Sequence, residues 1–179
     1  MGKGVRTMPE LSRADEMTGD EAELPVFQQH EIPDSILSRA TVADPDYIDL
    51  FTLVIGDAAD WSPEQWARAA FEDVAGLQGQ FIWRVLLGMR LAWRRSPERV
   101  AGWRIAGRGD NWITLAAPSW MLTGNLVIHI EDERLSLATI VDYDRVIARR
   151  VWTPLSAVHR SLAPGLLRDA HAAVRARPR

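Results

Sequence analysis

From Val100 to Tyr143 the chain reads as four strands in succession, and this stretch constrains the fold more than any other feature. The runs are 100–106, 111–117, 120–131 and 134–143. Gly107-Arg108-Gly109-Asp110 and Asp132-Glu133 supply two of the turns between them. Consecutive strands joined by tight turns form an antiparallel meander. A further strand is expected over 47–55, closed by Gly56-Asp57.

Helical signals flank the meander. Ser62-Pro63-Glu64-Gln65 is a capping box with proline at the first helical position, and Trp61 and Trp66 stand where a hydrophobic staple would form. The first helix is expected from Pro63 to about Val74, ended by Gly76. A second is expected from Gln80 to about Trp93, with Ile82, Val85, Leu86, Met89 and Trp93 on one face and Arg90 and Arg94 at its edge. The last segment, 145–174, is helical in composition. Pro154 and Pro164 each remove an intrahelical hydrogen bond, so a kinked or divided helix is expected there, with Asp144 as its cap. Strand, two helices, a run of strands and a long terminal helix define an α+β domain in helix-grip order, a curved sheet around the final helix.

Residues 1–30 are polar, carry three basic and six acidic groups, and account for the whole formal charge of −3. A disordered acidic tail is expected there, followed by one domain over 31–176. With no cysteine among 179 residues, thiol nucleophiles, thiolate zinc sites and disulfides are excluded. No His, Asp or Glu group has metal-ligand spacing, and no cofactor is expected. No apolar run has the length of a membrane span, no signal peptide is recognisable, and a cytoplasmic protein is expected, as monomer or homodimer. The arginine-rich end, 145–179, lacks the interleaved aromatics of a nucleic-acid surface.

Eight tryptophans, all between Trp61 and Trp152, exceed what a core of this size usually needs. Trp61 and Trp66 have the staple as explanation. Trp83, Trp103, Trp112, Trp120 and Trp152 are left as candidate lining of an aromatic cavity. On the strand from Trp120, Leu122, Gly124, Leu126, Ile128 and Ile130 alternate with Thr123, Asn125, Val127, His129 and Glu131. Either face could be the concave one. If the mixed face points inward, Asn125 and His129 reach the cavity; otherwise they face water. His159 follows Trp152 by two helical turns and shares its face, as a proton handler or as a satisfied partner of a neighbouring group. Tyr143 lies between Asp142 and Asp144, whose carboxylates share one side.

Asp46-Tyr47-Ile48-Asp49-Leu50-Phe51, Val100-Ala101-Gly102-Trp103-Arg104-Ile105, and Trp152 with His159 and Pro164-Gly165-Leu166-Leu167 resemble a bacterial family of unknown function. That family is placed in the START-like superfamily of ligand-binding and polyketide-cyclase-like proteins. The resemblance covers roughly residues 31–176, although the chain has Ala157 where the family has a proline two residues before the histidine. It implies a cavity between sheet and terminal helix that takes a hydrophobic small molecule. Two functions follow. One is a cyclase or aromatase with His129, His159 and Tyr143 as catalytic groups; the other is a carrier or sensor of a lipid-like ligand without chemistry. Ligand contacts would come from Trp83, Trp103, Trp112, Trp120, Asn125 and Trp152. A module that binds a partner through the apolar second helix is a third reading.

Overall fold

The computed structural model describes residues 24–177. Seven strands form one antiparallel sheet: β1 (Val26–Gln29), β2 (Tyr47–Val54), β3 (Arg99–Val100), β4 (Trp103–Arg108), β5 (Trp112–Pro118), β6 (Thr123–Glu131) and β7 (Arg134–Asp142). Their spatial order is β1-β2-β7-β6-β5-β4-β3, so the first long strand lies beside the last. A short helix, α1 (Asp34–Leu37), follows β1; α2 (Pro63–Arg68) and α3 (Gly76–Phe81) come between β2 and β3; α4 (Val146–Ala176) closes the chain. The architecture is α+β, a curved antiparallel sheet with a long C-terminal helix.

Strand pairing fixes which residues share a face. Phe51 is opposite Leu137, Leu137 opposite Ile128, and Ile128 opposite Ile113, so these apolar side chains line one side of the sheet. That side carries the main core with Trp66, Trp103, Trp152 and Leu167 from the other elements. The opposite side is also dry. Ile36 of α1 packs there on Leu50, Val127, Ala138 and Ile140, with Ile32 and Val42 at the edge. A sheet covered on both sides shows weak polar–apolar alternation, which is why β6 read ambiguously.

The capping box forms as its sequence requires. Ser62 Oγ accepts from Gln65 N at 3.2 Å, and Ser62 N donates to Gln65 Oε1 at 2.7 Å. Trp61 and Trp66 meet edge to face at 5.7 Å, and the fully buried Trp66 indole donates to Ala58 O at 3.0 Å.

Several expectations are corrected. Val26–Gln29, inside the segment expected to be a structureless tail, pairs with β2; the rest of that tail, 1–23, lies outside the described residues. The expected strand 100–106 is two strands joined through Ala101 and Gly102, both at positive φ. A Cβ on Gly102 would lie 2.6 Å from Ala92 O, so this turn requires glycine. The second helix starts at Gly76 and its wide-turn continuation ends at Leu86; Gly88, at φ 60°, turns the chain away before Met89. Trp93 is therefore not on a packed helix face but 87 % exposed. The terminal helix runs undivided through Pro154 and Pro164. Its cap position is Arg145, while Asp144 instead accepts from Thr123 Oγ1 at 3.2 Å. Among the described residues no helix is long and apolar enough to cross a membrane.

Candidate functional site

A cavity of about 320 Å³ lies between the sheet, α4 and the segment containing α3. That is the low end of the range of ligand pockets, roughly 300–1,000 Å³. Leu126, Leu137 and Thr139 form its floor, Trp83 and Trp103 one wall, and Trp152, Leu155 and His159 of α4 its roof. It reaches solvent between α3 and α4, where Gln78, Val158 and Leu162 are exposed.

The lining is mainly apolar because the alternation of β6 and β7 presents Leu126, Leu137 and Val141 inward. Three aromatic rings of the wall touch in series. Phe71 and Trp83 meet at 6.0 Å, and Trp83 and Trp103 at 5.7 Å, both edge to face. Trp103 and Trp152 are buried, yet neither indole N–H has a hydrogen-bond partner among the described residues. Buried donors without partners are uncommon and cost about 1–3 kcal/mol each.

One polar cluster interrupts the apolar lining. His159 Nε2 is 2.9 Å from Thr139 Oγ1 and 3.4 Å from Asp49 Oδ1. Asp49 is buried on the inward face of β2, where Tyr47 O–H donates to its Oδ2 at 2.6 Å. Arg160 donates to the Tyr47 oxygen at 3.0 Å and to Ser156 Oγ at 3.1 Å. Burial is the first cause that pushes the Tyr47 phenol well above its ordinary range, with the hydrogen bond to Asp49 second. The phenol therefore stays protonated and keeps donating. Asp49 Oδ2, which accepts from Tyr47, is also 3.3 Å from His159 Nε2, and together with Thr139 it restrains the ring orientation of His159.

Of the sequence-derived candidates, Trp83, Trp103, Trp152 and His159 are brought together here. His129, Tyr143, Trp112 and Trp120 are not. His129 is on the outer face, 3.2 Å from Asn111 Nδ2, and burial lowers the pKa of its imidazole. It is thus neither in the cavity nor facing water. Asn125 borders the cavity, but its side chain points outward, accepting from Thr41 N at 2.7 Å and Thr41 Oγ1 at 2.9 Å. Trp112 is on that outer face beneath the Arg39 guanidinium, 4.5 Å from its ring centre. Trp120 is half-exposed in the turn before β6, near Arg145. Tyr143 lines a separate polar groove with Asp46, Arg149 and Arg160, and burial raises its phenol. Arg104 is exposed on the outer face.

Sequence reasoning missed Asp49 and Thr139. The signal for Asp49 was available: Tyr47, Asp49, Phe51 and Leu53 alternate onto one face, and a carboxylate inside such a series must be partnered. Among the described residues no group of three His, Cys, Asp or Glu side chains could hold a metal ion.

Comparison with known proteins gives no relative. The chain matches no family model, no curated protein and no solved structure.

Proposed function

We propose that the chain is a helix-grip, START-like domain that binds a hydrophobic small molecule carrying a carbonyl or similar acceptor in the cavity beneath α4. The observation that carries this reading is the mainly apolar cavity itself, lined by the rings of Trp103 and Trp152, whose buried indole N–H groups have no partner among the described residues. Closed off in this structure, these donors reach a ligand acceptor by a small turn of the ring on ligand entry, and the hydrogen bond is then gained without giving up a protein partner. The order of elements and the long terminal helix over the sheet support the fold assignment.

Paired ligands test it. 2-Acetylnaphthalene and 2-ethylnaphthalene have nearly the same shape, and only the first has an acceptor. The ketone is expected to bind more tightly, and Trp103→Phe with Trp152→Phe together to erase its advantage, a change of about fivefold per hydrogen bond lost. Equal binding of the two by the parent protein, or an advantage that survives both substitutions, contradicts the proposal.

A catalytic reading, proton transfer of the kind a cyclase or aromatase needs, rests on a different observation, the Asp49–His159 contact at the cavity roof. With Asp49 and Thr139 at its Nε2, His159 takes a proton through its other ring nitrogen from the carbon next to a carbonyl, leaving an enolate. In deuterated water the acetyl protons of bound 2-acetylnaphthalene are then exchanged faster than in buffer. His159→Gln is expected to abolish the excess exchange and leave ketone binding within about threefold, because its loss touches the transition state more than the ground state. Exchange at the buffer rate in the parent protein leaves a carrier without chemistry.

A further inference from the structure

The stretch 76–97 contains four arginines, Arg84, Arg90, Arg94 and Arg95, and no acidic residue, in a chain whose formal charge is −3. It also holds the most exposed apolar side chains of the central region. Leu77, Phe81 and Val85 recur at four-residue spacing on α3 and its continuation and are 90 %, 55 % and 63 % exposed. Trp93 is 87 % exposed and lies against the same segment, its ring 4.0 Å from the Arg84 guanidinium. Arg84 also donates to Leu91 O and Ala92 O at 2.8 and 2.9 Å, so the loop bearing Trp93 is fastened to the helix. The side chains of Arg90, Arg94 and Arg95 have no ion-pair or hydrogen-bond partner among the described residues. Of the neighbouring acids, Glu72 pairs with Arg68, Asp73 with Arg177 and Glu98 with Arg108, while Asp169 of α4, exposed and lining the cavity with Gln78, has no ion-pair partner among the described residues.

We infer that this face docks on an anionic lipid surface, with Leu77, Phe81, Val85 and Trp93 in the interface and the free arginines on the headgroups. Aromatic and aliphatic side chains on one side of a helix, with arginine at the border and no acid, have the chemistry of a segment that lies in the headgroup region. Charge decides against a second copy of the chain. Two such faces brought together would oppose their unpaired arginines, and like charges across an interface cost several kcal/mol.

Docking there has a consequence for the cavity, and this step alone rests on the function proposed above. Gln78 and Ile82 of the same segment border the cavity, and Val158 and Leu162 of α4, half-exposed, border it opposite. The opening then lies at the lipid surface. An apolar molecule passes between bilayer and cavity without crossing water.

Co-sedimentation with vesicles tests the docking without any cavity ligand, so its failure is separable from failure of the cavity reading. The full chain is expected to sediment with vesicles of equal parts phosphatidylglycerol and phosphatidylcholine, and much less with phosphatidylcholine alone. Arg94→Gln with Arg95→Gln should weaken anionic-vesicle binding about 25-fold, at roughly fivefold per arginine. Phe81→Ser with Trp93→Ser should weaken it at least about tenfold; both positions are exposed, and circular dichroism checks that the fold is kept. No sedimentation with anionic vesicles, or sedimentation unchanged in both pairs of variants, overturns the inference.

Discussion

Trp66→Ala is expected to lower stability by about 3–5 kcal/mol and the melting temperature by roughly 10–15 °C. The indole is fully buried and joins elements far apart in the chain. It stacks on His171 of α4 at 6.0 Å, meets Trp61 edge to face, and donates to Ala58 O. Truncation leaves a cavity at the junction of α2, α4 and the sheet, and leaves the Ala58 carbonyl without its donor. Chemical denaturation measures the loss. A value below about 1 kcal/mol would mean that this junction does not hold α4 on the sheet. His171 is also 3.0 Å from Asp57 Oδ1, so two tethers fix the end of α4 nearest its C-terminus.

Leu126→Trp and Leu155→Trp are expected to close the cavity from opposite sides while the fold stays intact. Leu126 stands on the floor and Leu155 on the roof, both facing the same space. A larger ring at either place grows into empty volume instead of into packed neighbours, so the stability change should stay within about 1.5 kcal/mol. Ligand binding should fall at least about tenfold in each, because the added ring occupies space that the ligand needs. Parallel titration and denaturation of the two variants separate the effects. Loss of binding together with loss of folding in both would show that these positions are core and not cavity.

How much of this was legible depended on whether a signal was local. The capping box and staple at 61–66 are complete within six residues, and they fold as the sequence demands. The long strands β2, β5, β6 and β7 also declared themselves through apolar runs and turn residues. What failed needed information from distant segments. Val26–Gln29 has no strand signal of its own and is ordered only by pairing with β2. The inward face of β6 could not be read because Ile36, Ile32 and Val42 cover its other face, making both sides apolar. That one ambiguity moved Asn125, His129 and Trp112 from the cavity to the outer face. The second helix was misplaced because periodicity continued past Gly88, where a positive φ ends it.

The candidate site was legible in part for the same reason. Trp152 and His159 share a helical face by spacing alone, and both reach the cavity. Asp49 and Thr139, the partners of His159, come from strands that are neighbours only after β2 pairs with β7. The count of tryptophans overstated the lining. Trp83, Trp103 and Trp152 border the cavity, whereas the other five serve the staple, the outer face or the surface.

Equilibrium titration with N-phenyl-1-naphthylamine shows whether the space under α4 is a binding site. This neutral probe fluoresces strongly only in apolar surroundings. Saturable binding at one probe per chain is predicted for the parent protein, at least about tenfold weaker in both Leu126→Trp and Leu155→Trp. Fluorescence that does not saturate, or saturable binding that both filled variants retain, would contradict the account.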